Sequence, residues 1–173
     1  MGAVRTLSIV GLALALAGRG EAAGLLKVGD AFPAWTLTDH AGAAVSSSDL
    51  DGKTYLLWFY PKAMTPGCTA EGRGLRDEIE TFRAKGVEIL GVSFDEPAAN
   101  AEFVQAEGFP FRLLSDRDRR FAMRVGAADS ATAPVSRRIS YLVGPDGRVL
   151  QVHESVNPKT HARDVLGGLG GSS

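Results

Sequence analysis

The sequence predicts an α/β domain in which helices cover both faces of a central mixed sheet. A continuous apolar run of strand length, 55–60, and a second segment rich in apolar residues, 87–94, are typical of strands that are buried on both faces. A segment of helical character follows each run, and this alternation of strand and helix predicts one layered sheet. The chain has 173 residues, which is enough for one packed domain and short for two.

Each predicted element is bounded by residues that start or stop regular structure. Apolar residues at i, i+4 and i+7 predict one helix over 69–85, which Gly86 ends. Asp95 is expected to cap the next helix, because Pro97 suits a first helical turn. In chain order we predict a hairpin (34–38 and 42–46), a strand (55–60), a helix (69–85), a strand (87–94), a helix (95–107), a strand (111–114), a helix (117–125), a hairpin (139–143 and 148–153) and a last helix that opens at 157–158.

The first 22 residues are typical of a targeting segment. Thirteen uncharged residues, 6–18, lie between Arg5 and Arg19, which is the length of a signal-peptide core and short for a membrane span. Small residues at 15–17 or 20–22 offer cleavage sites, and an uncleaved membrane anchor or a buried helix are alternatives. We therefore expect a signal peptide over 1–22, a single domain over 23–173, and export, to the periplasm if the source is bacterial.

Composition excludes several classes of function. The formal net charge of −1, with 19 basic and 20 acidic residues, argues against nucleic acid as a partner. A single cysteine excludes an internal disulfide framework, and leaves a buried structural thiol, an intermolecular pair or a reactive nucleophile. The three histidines, His40, His153 and His161, show no metal-ligand spacing and are expected at the surface. We expect neither a metal nor an organic cofactor.

The residues that carry chemistry follow the first buried strand. The loop 61–68 joins this strand to a helix that begins near Cys68, where the helix dipole and free backbone N–H groups stabilise a thiolate. Thr65 can turn its hydroxyl towards the same place, while Pro61 and Pro66 stiffen the loop. Taken alone, Cys68 could equally be a small buried hydrophobe and Thr65 only a helix cap.

Three segments resemble one family. The pattern Pro61-x-x-x-Thr65-x-x-Cys68 is similar to the active-site signature of the peroxiredoxins, and 60–69 is similar to their Q-type branch, the bacterioferritin comigratory protein group of the AhpC/TSA family. The segments 28–33 and 138–147 resemble the family's opening and its arginine-bearing strand and hairpin. The resemblance implies a thioredoxin-like fold and an antioxidant thiol peroxidase that reduces hydrogen peroxide or organic hydroperoxides.

The resemblance also implies a role for each matching residue. Cys68 would be the peroxidatic nucleophile that becomes a sulfenic acid, and Thr65 would bind the peroxide. Pro61 would shield the thiolate, and Arg138 would stabilise the negative charge on the reacting atoms. Arg137, one residue out of phase on the strand, should point to the other side.

Two supporting residues complete the predicted site. Glu71 lies three residues after Cys68 on the same helix face, where the resemblance implies that it orients the arginine. The backbone N–H groups of Gly67 and Cys68 are candidates for further contacts. Without the family likeness, Arg138 would be taken for a surface cation.

One position departs from the family pattern. Many Q-type members have a resolving cysteine five residues after the first, where this chain has Arg73. The sequence therefore resembles a one-cysteine peroxiredoxin that needs an external thiol, such as thioredoxin, glutaredoxin or a low-molecular-weight thiol, and forms a monomer or weak homodimer. A disulfide exchanger or copper-delivery protein would need a second nearby cysteine, and a non-catalytic protein would not form a sulfenic acid.

Overall fold

The computed structural model describes residues 23–170 and has one mixed sheet with helices on both faces, as the sequence predicts. Within these residues the sheet has seven strands in the order β2-β1-β5-β4-β3-β6-β7. The strands are β1 (Thr36–Asp39), β2 (Ala44–Ser46), β3 (Thr54–Phe59), β4 (Val87–Ser93), β5 (Arg112–Ser115), β6 (Ile139–Val143) and β7 (Val149–His153). The helices are α1 (Pro66–Asp77), α2 (Ile79–Ala84), α3 (Pro97–Glu107), α4 (Arg120–Arg124) and α5 (His161–Gly168), with a 3-10 turn at Ser47–Leu50.

Strand β3 lies near the middle of the sheet and separates two hydrophobic cores. It pairs in parallel with β4 and antiparallel with β6, so both of its edges are covered. Alternate side chains point to opposite faces: Leu57 and Phe59 join a core with residues of α4, while Leu56 and Trp58 join a core with residues of α1, α2, α3 and α5. The sheet is therefore covered on both faces, which is the predicted layered architecture.

The predicted helix over 69–85 is wrong in its bounds. Helix α1 begins earlier, at Pro66, and ends at Asp77, and α2 begins at Ile79 after a break at Glu78, where φ is −97° and ψ is 10°. The apolar positions Leu75, Ile79 and Phe82 continue across the break with helical spacing. Periodicity alone therefore could not detect the bend.

Three other helix starts also differ from the prediction. Glu96, not Asp95, precedes α3; the Asp95 carboxylate instead accepts a hydrogen bond of 2.8 Å from the Ala63 N–H, in the loop that follows β3. The helix predicted over 117–125 is only five residues long, because Arg119 takes a left-handed conformation with φ of 59°. The last helix begins at His161, after a turn at 157–160, and not at 157–158.

Asp116 stabilises the start of α4 from within the protein. Its buried carboxyl group accepts hydrogen bonds from the backbone N–H groups of Ala122 at 2.7 Å and Phe121 at 3.4 Å. Burial raises the pKa of Asp116 to about 6, although these two donors act in the opposite direction. The ionised carboxylate is therefore costly in the folded protein.

Helix α1 approaches the sheet closely at Gly72. A Cβ atom at this position would lie 2.4 Å from the Cζ atom of Phe109 and 3.0 Å from the Cη2 atom of Trp58, so only glycine fits without movement. At Gly74, on the same helix, a Cβ atom would meet the Ala162 Cβ at 3.9 Å, an ordinary contact. Packing therefore requires glycine at position 72 but not at position 74.

The predicted signal peptide over 1–22 lies outside the described residues and stays a prediction. Between residues 23 and 170, no helix is both long and apolar enough to cross a membrane.

Candidate active site

Cys68 is the third residue of α1 and is fully buried below the loop that follows β3. The loop is fixed at both ends. The Ser136 hydroxyl donates a hydrogen bond of 2.8 Å to the carbonyl of Tyr60, and Asp95 accepts one from the Ala63 N–H. Met64 takes a left-handed conformation with φ of 62° between these contacts and α1. This geometry places the sulfur in the first turn of a helix, where unbonded N–H groups favour an anion.

Arg138 brings a cation to the sulfur from the neighbouring strand. It directly precedes β6, whose Ile139 pairs with Phe59 at the end of β3, so its side chain reaches the start of α1. Its Nη2 atom lies 3.4 Å from the Cys68 Sγ atom. Burial acts to lower the pKa of Arg138, but the charges of Glu71 and Cys68 outweigh it and the pKa is raised. Arg138 is therefore a permanent positive charge at the sulfur.

Glu71 is the second partner of Arg138. Its side chain is fully buried, and its Oε2 atom pairs with Nη1 of the guanidinium. Burial raises the pKa of Glu71, and the indole N–H of Trp58 and the Arg138 cation act against this rise. Arg138 thus uses one nitrogen for the carboxylate and the other for the sulfur.

The structure brings Thr65, Pro61 and Gly67 to the same loop and helix start. The Thr65 hydroxyl donates a hydrogen bond of 2.8 Å to the carbonyl of Lys62. Pro61, half-buried, opens the loop. A Cβ atom at Gly67 would lie 3.0 Å from Nη2 of Arg138, so the absence of a side chain there leaves room for the guanidinium.

Arg137 has different partners from its neighbour. Its guanidinium donates hydrogen bonds to Asp129 at 2.7 Å and to the carbonyl of Gly126 at 3.4 Å. The two adjacent arginines therefore have separate partners, as the sequence predicts, although both lie just before β6 and not within it.

The expectation that the histidines lie at the surface is wrong. His161 is buried, His153 is half-buried against it with ring centroids 5.3 Å apart, and the half-buried His40 accepts a hydrogen bond from the Leu113 N–H. His161 lies at the start of α5, four residues before the buried Val165. That i, i+4 relation to the apolar helix face was the available signal for burial. Among residues 23–170, no group of three His, Cys, Asp or Glu side chains could hold a metal ion.

Comparison with known proteins places this geometry in one family. The AhpC/TSA family matches residues 28–152. The chain is 37% identical over 149 residues to peroxiredoxin Bcp of Escherichia coli, covering 83% of this chain and 96% of the relative. It is 33% identical over 144 residues to the chloroplastic peroxiredoxin Q of Oryza sativa, covering 83% of this chain and 66% of the relative.

Solved structures agree with the sequence relatives. The fold is similar to that of peroxidoxin BcpB from Mycobacterium tuberculosis, with a TM-score of 0.79, 29% identity, and coverage of 86% of this chain and 99% of that one. A PrxQ mutant of Xylella fastidiosa also has a TM-score of 0.79, with 26% identity and coverage of 86% and 98%. The thioredoxin-like fold, the family match and the relatives together show that this chain belongs to the AhpC/TSA family, as a Q-type peroxiredoxin and thiol peroxidase with a single cysteine.

Proposed function

We propose that this thiol peroxidase reduces hydrogen peroxide and organic hydroperoxides, with Cys68 as the nucleophile. The observation that carries the proposal is the position of Arg138, with Nη2 at 3.4 Å from the Cys68 Sγ atom. A buried sulfur at a helix start beside a permanent cation is stabilised as the reactive thiolate. One solved relative, the bacterioferritin comigratory protein of Xanthomonas campestris, is described by its alkyl peroxide reduction activity. Organic hydroperoxides are therefore included among the substrates.

The first step transfers one oxygen atom to Cys68. The thiolate attacks the terminal O–H oxygen of the peroxide, the O–O bond breaks, and the sulfur becomes a sulfenic acid that keeps the hydrogen of that oxygen. The remaining fragment leaves as hydroxide or alkoxide and takes one proton to become water or alcohol. Sulfur is oxidised and the peroxide is reduced by two electrons. Arg138 stabilises negative charge as it moves from sulfur to the leaving oxygen.

Thr65 and Pro61 complete the proposed peroxide site. The Thr65 hydroxyl gives its hydrogen to the carbonyl of Lys62, so its oxygen lone pairs are available to accept a hydrogen bond from the peroxide O–H. Pro61 has no N–H and a fixed φ, so it shields the sulfur without adding a competing donor. Gly67 leaves the space that the guanidinium needs.

An external thiol regenerates Cys68 in this proposal. The sequence has one cysteine, so no internal disulfide can form. A first external thiol attacks the sulfenic sulfur, water leaves, and a mixed disulfide results. A second thiol then releases Cys68 and leaves with the first as a disulfide. Thioredoxin, glutaredoxin and a low-molecular-weight thiol are the donors to compare, by peroxide consumption with each one alone.

Removal of the sulfur nucleophile tests the assignment. Cys68→Ser keeps the side-chain size and should abolish peroxide reduction, because a hydroxyl is not ionised at neutral pH. Intact mass spectrometry after one equivalent of peroxide should show one added oxygen in the natural protein and none in the variant, and a sulfenic-acid probe should label only the former. Peroxidase activity retained by the folded Cys68→Ser variant would overturn the assignment.

The exported location and the state of association are also proposals. The apolar run 6–18 between two arginines supports a signal peptide that directs the protein out of the cytoplasm, to the periplasm in a bacterium. N-terminal sequencing of the protein from fractionated cells distinguishes a cleaved, exported domain from a membrane-anchored one. We propose a monomer or weak homodimer, which sedimentation over a range of protein concentrations tests.

A further inference from the structure

Glu71 meets Arg138 in an unusual way. Arginine and carboxylate groups commonly pair through two parallel hydrogen bonds, which would use both oxygens of the carboxylate and two nitrogens of the guanidinium. Here only Oε2 contacts Arg138, through Nη1, and this leaves Nη2 for the sulfur of Cys68. Among the described residues, the buried Oε1 atom has no donor within hydrogen-bond distance, and the buried indole N–H of Trp58, which acts to lower the pKa of Glu71, has no acceptor either. Something must keep this oxygen away from Nη2.

The imidazole of His161 lies beside Oε1. Its Nε2 atom lies 3.7 Å from Glu71 Oε1 and 2.9 Å from the Ser140 Oγ atom, and all three side chains are buried. The position of the ring is fixed from two sides. His161 begins α5, which packs against α1, and Ser140 lies on β6 opposite Trp58 of β3. The imidazole therefore stands where α1, α5 and the sheet meet, directly behind the arginine site.

The imidazole of His161 is neutral, so it can attract a carboxylate oxygen without competing with Arg138 as a second cation. Burial is the largest of the causes that lower the pKa of His161 to about 4; His153 and Arg138 act in the same direction, and Asp164 opposes them. The ring is therefore neutral at ordinary pH. In the tautomer with hydrogen on Nε2 it is a donor. Nε2 lies 2.9 Å from the Ser140 Oγ atom and 3.7 Å from Oε1, which is longer than a hydrogen bond, so its N–H acts on Oε1 by electrostatic attraction while the Ser140 oxygen is its nearer acceptor.

We propose that His161 is a positioning residue of the peroxidase site, which holds the second oxygen of Glu71 and so prevents it from taking both nitrogens of Arg138. Nη2 then stays directed at Cys68, where the thiolate and the peroxide need it. His161 touches neither the sulfur nor the substrate, and acts through Glu71 and Arg138. The inference rests on the proposed roles of Cys68 and Arg138.

Three substitutions at one position test the proposal. His161→Gln keeps an amide N–H near the position of Nε2, His161→Asn places its amide too far back, and His161→Leu has no donor. We expect Leu and Asn to slow the reaction with hydrogen peroxide about tenfold, the scale of a buried acceptor that loses its donor. They should also move the thiolate titration, followed by ultraviolet absorbance, to higher pH. Gln should restore both properties to within about threefold of the natural protein.

His153→Leu is the matched control, since it removes a neighbouring imidazole that does not face Glu71, and it should leave both properties unchanged. A purely structural role would lower thermal stability without moving the thiolate titration of the folded protein. The proposal is wrong if a folded Leu or Asn variant keeps the natural rate and titration, or if Gln is as slow as Asn. Absence of peroxidase activity in the natural protein would instead refute the proposed function.

Discussion

Replacement of Arg138 by methionine is the strongest test of how the site works. Methionine keeps a long unbranched side chain, but removes the cation that lies 3.4 Å from the sulfur. At an effective dielectric constant of about 20, opposite unit charges at this distance attract by about 5 kcal/mol. The Arg138 side chain is 22% exposed, so solvent weakens this attraction. Single preorganised donors contribute about 3 kcal/mol to transition states, and we expect a rate loss of about 100-fold or more.

The assay is the second-order rate of the reaction with hydrogen peroxide under single-turnover conditions, so that the external thiol does not enter the measurement. Arg137→Met is the matched control, because this arginine is adjacent in sequence but pairs with Asp129. It should change the rate by less than about twofold, since exposed ion pairs contribute little. Equal losses in the two variants, or a loss below about tenfold at Arg138, would refute the electrostatic explanation.

Three further predictions concern the surrounding structure. Gly72→Ala should lower the free energy of unfolding by about 1–3 kcal/mol in a denaturant titration, because the new Cβ meets an aromatic ring at 2.4 Å. Gly74→Ala should raise it by up to about 1 kcal/mol, since its Cβ makes only an ordinary contact. The opposite order of stabilities would contradict the described packing. The pKa of Asp116 is raised in the folded state, so the unfolded chain ionises first and stability should fall by about 3 kcal/mol as pH rises from about 4 through about 6. Asp116→Asn should lack this fall in stability. If the variant loses as much stability over this pH range as the natural protein does, the buried Asp116 carboxyl group is not the cause. Arg73→Cys should form no disulfide with Cys68 while α1 is intact. Residues five apart on a helix have Cα atoms roughly 9 Å apart, which is beyond the reach of a disulfide. Rapid loss of both thiols, measured by mass spectrometry, would show that α1 opens.

The central strands and the strand-to-helix junction at Cys68 can be predicted from local sequence pattern. The apolar segments 55–60 and 87–94 identify β3 and β4, whose residues are buried on both faces of the sheet. The strand-to-helix junction at Cys68 follows from the chain order of these elements. Periodicity could not reveal the break at Glu78, because the apolar spacing continues through it.

The remaining parts of the site depend on contacts between residues far apart in sequence. Arg138 is identified only by family resemblance, since nothing in the sequence around it distinguishes it from a surface cation. Asp95 was predicted as a helix cap, but its carboxylate has a partner in the loop after β3, and that loop is not local to it. The spacing of His161 and Val165 places both on one face of α5, but the helix α1 that covers this face is far away in sequence.

Arg73, which stands where many Q-type members have the resolving cysteine, connects α1 to α3. Arg73 makes two hydrogen bonds, of 2.6 and 3.1 Å, to the Glu107 carboxylate at the end of α3, and Arg76 donates one of 2.6 Å to the carbonyl of the same residue. A cysteine at this position could reach Cys68 only if the start of α1 unwound. An arginine there needs the opposite, because its contacts to α3 exist only while the helix is formed. The 3.4 Å contact between Arg138 and the sulfur depends on an intact α1, so an arginine where many Q-type members have the resolving cysteine supports the geometry in which the thiolate is reactive.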